Sequence, residues 1–241
     1  MFSSSPEQIL LQKAEQEDHY LEKCNESPVN RLARSHSNYR SLGSESLARW
    51  TFPSWIQPVA QKSRLLWMHP SSGLPHTRPG SLICMPQYFP ETRLQETLLH
   101  ELIHCWQRQE PLRWHTLYKD LGWRPATEDE IDFIPDDYYS RLRINPDTLP
   151  YRFWVWSGKK SYLPLPVFDR EDKPKLGEAS VRWLDLKTGF LLRSPPEDFQ
   201  TFFGPVNDPE HPAEVAAYSL ADKDTYSKYP AWSYFSGFCL L

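Results

Sequence analysis

The chain has 241 residues, with 27 Lys and Arg against 31 Asp and Glu, a formal charge of −4, and 39% hydrophobic and 14% aromatic residues. That apolar mass suffices for a packed core and excludes a fully disordered chain, while the slight acidity argues against general nucleic-acid binding, which needs a basic face to release counterions. The 23 Pro against 9 Gly exclude long regular repeats, because proline removes backbone donors and interrupts helices and central strands; short elements joined by long ordered loops are expected.

In chain order, the start Met1-Phe2-Ser3-Ser4-Ser5-Pro6 has no basic region followed by an apolar one, so no secretory leader is expected. Residues 6–24 read as a polar helix with Pro6 in its first turn and a thin stripe of Ile9, Leu10, Leu11, Ala14, Tyr20 and Leu21. Residues 25–46 are rich in Ser, Asn and Arg and read as a linker or loosely held arm. The expected division is therefore 1–46 as N-terminal helix and flexible arm and 47–241 as the packed domain. Arg64–Met68 and Ser81–Met85 are short strand candidates, with the Pro- and Ser-rich stretch His69–Gly80 as a loop between them. Glu91–Gln109 carries the longest helical pattern: Leu94, Leu98, Leu102, Cys105 and Trp106 recur at steps of three and four, and Pro90 and Pro111 bracket the segment. Tyr151–Trp156 and Tyr162–Phe168 form an expected hairpin around Ser157–Lys160; Val181–Leu186 and Phe190–Leu192 form another, turning at Lys187-Thr188-Gly189. A last short helix is expected from Pro212 to about Leu220.

No run of about 18 apolar residues that would span a bilayer is present, so no membrane partner is expected. Cys24, Cys84, Cys105 and Cys239 have no paired spacing; a reducing, cytoplasmic location is the corresponding expectation.

The segment that carries chemistry is Thr97-Leu98-Leu99-His100-Glu101-Leu102-Ile103-His104-Cys105-Trp106. Four residues turn a helix by about 400°, so His100 and His104 lie about 40° apart around the axis and about 6 Å apart along it. Both imidazoles can then reach one small tetrahedral cation. Glu101 sits about 100° further round, near enough to contact a water activated by that cation without being a ligand. Zinc brings the pKa of such a water towards about 7, and a carboxylate beside it can take up a proton and deliver it to a leaving amine. Cys105 points about 100° away from the His100–His104 face and reads as core.

The stretch Leu99-His100-Glu101-Leu102-Ile103-His104 resembles the active-site helix of the zincin metallopeptidases. The resemblance covers about ten residues. It implies an α+β, zincin-like domain with an active-site helix, a small β-sheet and long Pro-rich loops. It also implies a bound Zn2+, a peptide or protein substrate, and hydrolysis of a peptide or isopeptide bond with Glu101 as general base. A third ligand is needed, and zincin subfamilies supply it differently. At the metzincin positions stand Gln107, where a Gly would allow the turn, and Glu110, where the ligand would be. The SprT-like pattern points to His115, 11 residues after His104. The gluzincin pattern, a Glu from a second helix, points to Glu214 in Glu210-His211-Pro212-Ala213-Glu214-Val215-Ala216-Ala217-Tyr218, where Ala213, Ala216 and Ala217 permit close helix approach. Glu214 is the favoured ligand, and the ordinary alternative is a first-turn Glu facing the helix dipole.

The gluzincin reading meets two departures: 109 residues separate His104 from Glu214, which makes the aromatic hairpins an insertion or a lid, and Tyr218 stands where an Asp often follows the ligand Glu. Tyr218 shares the helix face of Glu214 and is the candidate donor to an oxyanion, against a packing role. His211 is a candidate transition-state donor or fallback ligand, though a residue before Pro favours an extended turn. A deformylase-like ligand set would use Cys84 instead. The run Tyr151–Trp156 suggests base stacking or peptide docking less well than a half-buried strand with Phe153 and Val155 on one face and Trp154 and Trp156 on the other. The acidic cluster Glu128–Glu130, with Asp132, Asp136 and Asp137, reads as a solvated loop. The opposing functional reading is a catalytically inactive binding module of the same fold holding structural zinc in a closed four-ligand shell.

Overall fold

The computed structural model describes residues 5–34, 38–149 and 151–240. Three helices open the chain, α1 (Pro6–Asp18), α2 (Tyr20–Glu26) and α3 (Pro28–Ala33), followed by strand β1 (Ser41–Ser46), helix α4 (Gln57–Lys62) and strands β2 (Arg64–Met68), β3 (His76–Arg78) and β4 (Leu82–Pro86). The long helix α5 (Glu91–Gln109) leads directly into α6 (Pro111–Asp120), then β5 (Trp123–Pro125) and two short helices, α7 (Glu128–Asp132) and α8 (Asp136–Tyr139). Strands β6 (Trp154–Ser157), β7 (Ser161–Phe168), β8 (Ala179–Asp185) and β9 (Leu191–Leu192) follow, then helices α9 (Glu197–Phe203), α10 (Pro212–Ala221), α11 (Lys223–Tyr226) and α12 (Ala231–Cys239). The architecture is mixed α+β, with two sheets, ordered β1-β2-β4-β3 and β5-β6-β7-β8-β9. None of the described helices is long and apolar enough to cross a membrane.

The first sheet is mixed: β2 and β4 run parallel, and β1 and β3 pair antiparallel at the edges. Its side chains alternate between two apolar layers, as the strand period requires. Leu65, Ile83 and Met85 join the large core with α5, whereas Leu66, Met68, Leu82 and Cys84 pack with Leu11, Ala14, Tyr20 and Cys24 of the opening helices. The linker reading of 25–46 is thereby corrected. Most of that stretch is α2, α3 and β1, and β1 is a laddered edge strand. A buried polar contact also ties the opening helices to the sheet. Arg78, 0% exposed, makes a two-pronged bond to Asp18 (2.7 Å each) and another to Glu15 (2.7 Å). The expected single helix 6–24 breaks at His19, whose left-handed φ of 53° ends α1. Met1–Ser4, where the absence of a leader was read, lies outside the described residues.

In the second sheet β7 is central yet contains Pro164 and Pro166. Its ladder explains why this is tolerated. β7 pairs with β8 along its whole length but with β6 only at Tyr162 and Ser161. Beyond that point its free side is taken by residues 141–143: Arg143 donates its backbone N–H to the Pro166 carbonyl (2.7 Å) and Phe168 donates to the Arg141 carbonyl (3.0 Å). Residues 164, 166 and 168 share that side, so the prolines lack donors only where β8 needs none. The second hairpin turns where expected, with Gly189 at φ 75°. The strand reading of the aromatic run holds too: Val155 and Phe153 pack in one cluster, Trp154 and Trp156 in the other. The acidic stretch is a helical turn rather than a loop, closed by a Thr127–Glu130 capping box and by Arg124 on Glu130.

Candidate metal centre

Helix α5 spans the residues its period indicated, begins after Pro90 with Glu91 in its first turn, and ends with Arg108 in its last, both suited to the helix dipole. Its buried residues run from Leu98 through Gln107 and include Glu101 and His104. Helix α10 lies against α5, and its buried Ala213, Ala216 and Ala217 leave room for the approach. His211 is the N-cap of α10: its Nδ1 accepts from the Ala213 N–H (3.0 Å), which leaves Nε2 to donate to the Tyr151 carbonyl (2.8 Å). Burial pushes its pKa down to about 3. It is a capping residue, not a ligand.

The two helices bring together His100, His104 and Glu214. The His100 and His104 Nε2 atoms are 3.0 Å apart, and Glu214 Oε2 lies 3.3 Å from the first and 3.5 Å from the second. Zinc bonds of about 2.0–2.1 Å at tetrahedral angles put donor atoms about 3.3 Å apart, so this triangle has the edge lengths of one face of a zinc tetrahedron. The surrounding bonds orient each donor. Gln107 gives its amide N–H to the Ala213 carbonyl (2.9 Å), so its Oε1 faces His104 and accepts from Nδ1–H (2.7 Å). Nε2 of His104 is thereby turned into the cluster. Asn145 accepts the Asp147 backbone N–H on its Oδ1 (3.0 Å) and gives its amide N–H groups to Glu214 Oε1 (2.6 Å) and Glu210 Oε1 (2.8 Å). Glu214 Oε2 remains for a cation. Burial opposes the Glu214 charge, but the His104 and His100 imidazoles overcome it and hold the carboxyl well below the usual range. Burial likewise opposes a charge on His104, and Glu214 outweighs it, raising the His104 pKa to about 10. A cation entering the cluster must displace the proton this pair shares.

Glu101 is 3% exposed and its Oε2 has no hydrogen-bond partner. Burial, reinforced by the Asp147 charge, holds its carboxyl well above the usual carboxylate range. A buried polar atom without a partner is uncommon, and this one sits beside a cluster of metal-type donors. Tyr218 is half-buried, its ring edge-on to His100 with centroids 4.5 Å apart, and burial raises its pKa, so the phenol keeps its proton. His100, Glu101, Glu214 and Tyr218 all line one cavity of about 280 Å³.

The other ligand candidates are elsewhere. Glu110 is exposed at the α5–α6 junction and pairs with Arg113 (3.0 Å). His115 is on α6, packed edge-on against Tyr151 and Trp154. Cys84 is buried in the apolar layer under the opening helices, and Cys105 is core. The strands β6 to β9 themselves do not line the cavity, and the connection between β7 and β8 reaches it through Leu176. Gln107 and Asn145, which orient the donors, were missed by the sequence reading. Gln107 had a signal, its i+3 position from His104 on the same face; Asn145-Pro146 carries no more than the general signal of a turn.

No protein-family model, no curated protein and no solved structure matches the chain.

Proposed function

We propose that the chain is a zinc-dependent hydrolase of peptide or isopeptide bonds, with a zincin-like active-site helix. The observation that carries this reading is the closure of Glu214 onto His100 and His104 beside Glu101, whose Oε2 is unpartnered, at one cavity. Two imidazoles and a carboxylate suit zinc, and three protein donors leave a coordination position free. Among the described residues this cluster offers three donors and not the four of a closed shell, which favours catalysis over the structural-zinc module.

A zinc ion held by these residues supplies Lewis acidity, bringing the pKa of a water towards about 7 and polarising a carbonyl oxygen. Glu101 takes a proton from the attacking water as its oxygen bonds to the carbonyl carbon. The C–N bond then breaks, and Glu101 returns the proton to the leaving nitrogen. Burial suits it to both halves, because a buried carboxyl holds a proton more readily than an exposed one. Tyr218 donates its phenolic proton as a hydrogen bond to the oxygen on which charge develops.

The test is elemental analysis of protein purified without chelators or a metal-affinity column, followed by peptide hydrolysis assays. The expected result is about one zinc per chain, with Glu101→Gln keeping the zinc and losing at least about 100-fold in rate. A chain that neither carries nor takes up zinc, or a Glu101→Gln variant that still hydrolyses peptides, overturns the reading.

A further inference from the structure

The walls of the cavity carry two chemically different sets of residues. One is the metal-type cluster with Glu101; the other includes Arg34 and Arg143. Arg34, 9% exposed, follows α3 and makes four bonds, all to uncharged groups: Nε to the Tyr20 hydroxyl (2.8 Å), NH1 to the Asn30 carbonyl (3.3 Å) and Asn30 Oδ1 (2.7 Å), and NH2 to the Ile144 carbonyl (2.5 Å). A guanidinium has five N–H donors, so one on NH2 has no partner among the described residues. Among the described residues no carboxylate pairs with Arg34. Arg143, also buried, is bonded to Glu210 (2.6 Å) and lies 3.8 Å from Asp208, but its Nε has no partner. Behind them Arg152 gives NH2 to the Arg143 carbonyl (3.4 Å), and its Nε is likewise unpartnered.

Buried charges in folded proteins are normally paired, because an uncompensated ion out of water is costly. Here Arg143 is met by Glu210 and Asp208, whereas Arg34, with no counter-ion among the described residues, lines a cavity. A planar fork with a spare donor is suited to a carboxylate. We propose that this cavity takes a substrate carboxylate, seated on Arg34 with Arg143 beside it, so that the preferred substrates are peptides carrying a free carboxylate close to the scissile bond. The carboxylate comes either from the chain's C-terminus or from an Asp or Glu side chain. The catalytic half of this inference rests on the function proposed above; the anion recognition does not.

Three probes test it by calorimetry: N-acetyl-tetraalanine as the free acid, the same peptide as its C-terminal amide, and N-acetyl-Ala-Ala-Glu-Ala amide. Each is titrated into the full, zinc-loaded Glu101→Gln chain, which cannot cleave it, and into chelator-treated wild-type chain. At least one carboxylate probe should bind about tenfold or more tighter than the neutral amide in both preparations, a preference worth about 1.4 kcal/mol. A preference for the free acid assigns the site to the C-terminal carboxylate, and one for the Glu peptide assigns it to a side chain. Arg34→Gln should abolish the preference. Should that variant not fold, the wild-type comparison still decides. Equal binding, or no binding, of all three probes to wild type overturns the proposal. So does a preference that vanishes when zinc is removed, which would put the carboxylate on the metal, or one that survives in folded Arg34→Gln. A chain that takes up no zinc yet keeps the preference retains the anion site and loses the peptidase reading.

Discussion

Gln107 joins the two helices of the candidate metal centre through one side chain, and its removal separates their contributions. Gln107→Met keeps the length and removes both polar atoms. His104 Nδ1–H then loses its acceptor at 2.7 Å, and the Ala213 carbonyl, one residue before Glu214, loses its donor at 2.9 Å. Both groups are buried, and leaving a buried donor or acceptor unsatisfied costs about 1–3 kcal/mol, so the metal-free chain should lose about 2–6 kcal/mol. The partner that orients a ligand imidazole is typically worth 10–100-fold in metal affinity, or about 1.4–2.7 kcal/mol. Zinc affinity, measured by competition with a chromophoric chelator, should fall by that factor. Urea unfolding of the metal-free variant reports the stability loss independently. A zinc affinity within twofold of wild type would refute the claim that Gln107 fixes the presentation of His104, whatever happened to stability.

Three further outcomes follow from the same bonds. His76 is buried; its Nδ1–H donates to the Leu74 carbonyl, its Nε2 accepts from the Tyr39 hydroxyl, and burial pushes its pKa down to about 4. The unfolded chain protonates this group below about 6.5 and the folded chain only below about 4, so stability should fall as pH drops through that window, by up to about 3 kcal/mol. Urea midpoints against pH should show a shallower decline in His76→Gln, and an unchanged slope would count against the assignment. Arg78→Met strands Asp18 and should cost about 3–5 kcal/mol; a loss under about 1 kcal/mol in chemical denaturation would mean the opening helices are held by other contacts. Ala217→Leu adds bulk to the buried face of α10 near Glu214 and should cost about 1–3 kcal/mol while weakening zinc binding, and a fully stable variant with wild-type affinity would refute close packing there.

What could be read from the sequence were the elements whose apolar pattern is dictated by one large neighbour. Helix α5 was legible because its buried residues recur on one face and prolines stand at both ends, and β6 to β8 because their alternation matches two separate apolar layers. Glu214 was reached through the resemblance to the gluzincin pattern, which the small residues around it supported. The helical character of 6–24 was legible too, but not the way the opening helices are fixed to the sheet: beside the apolar layer, Arg78 meets Asp18 and Glu15 from a strand some sixty positions away, a contact with no periodic signature. The same reason hid Asn145 and Gln107. Their importance lies in which groups they face after folding, and single-sequence composition at 107 or 145 is that of an ordinary helix surface and an ordinary turn.

The proline content, which first suggested only interruptions, has a structural consequence for the site. In an unbroken central strand, residues 164 and 166 would offer N–H groups to the neighbour on the side of β7 away from β8. With prolines there, that side presents carbonyls alone along this stretch, and the Pro166 carbonyl takes the N–H of Arg143. The segment so anchored continues two residues to Asn145, whose amide reaches Glu214, and four residues to Asp147, whose carboxyl accepts from the Thr77 N–H (2.7 Å) at the edge of the other sheet. One short, otherwise irregular stretch is therefore fixed at both ends, by the second sheet through Arg143 and by the first through Asp147. Between these anchors it holds the third donor's carboxylate in place. The strands of the aromatic hairpins act on the centre through this connection. A lid would have to move for catalysis, whereas this arrangement gains from rigidity, because donor positions set to within about half an ångström need a support that does not yield.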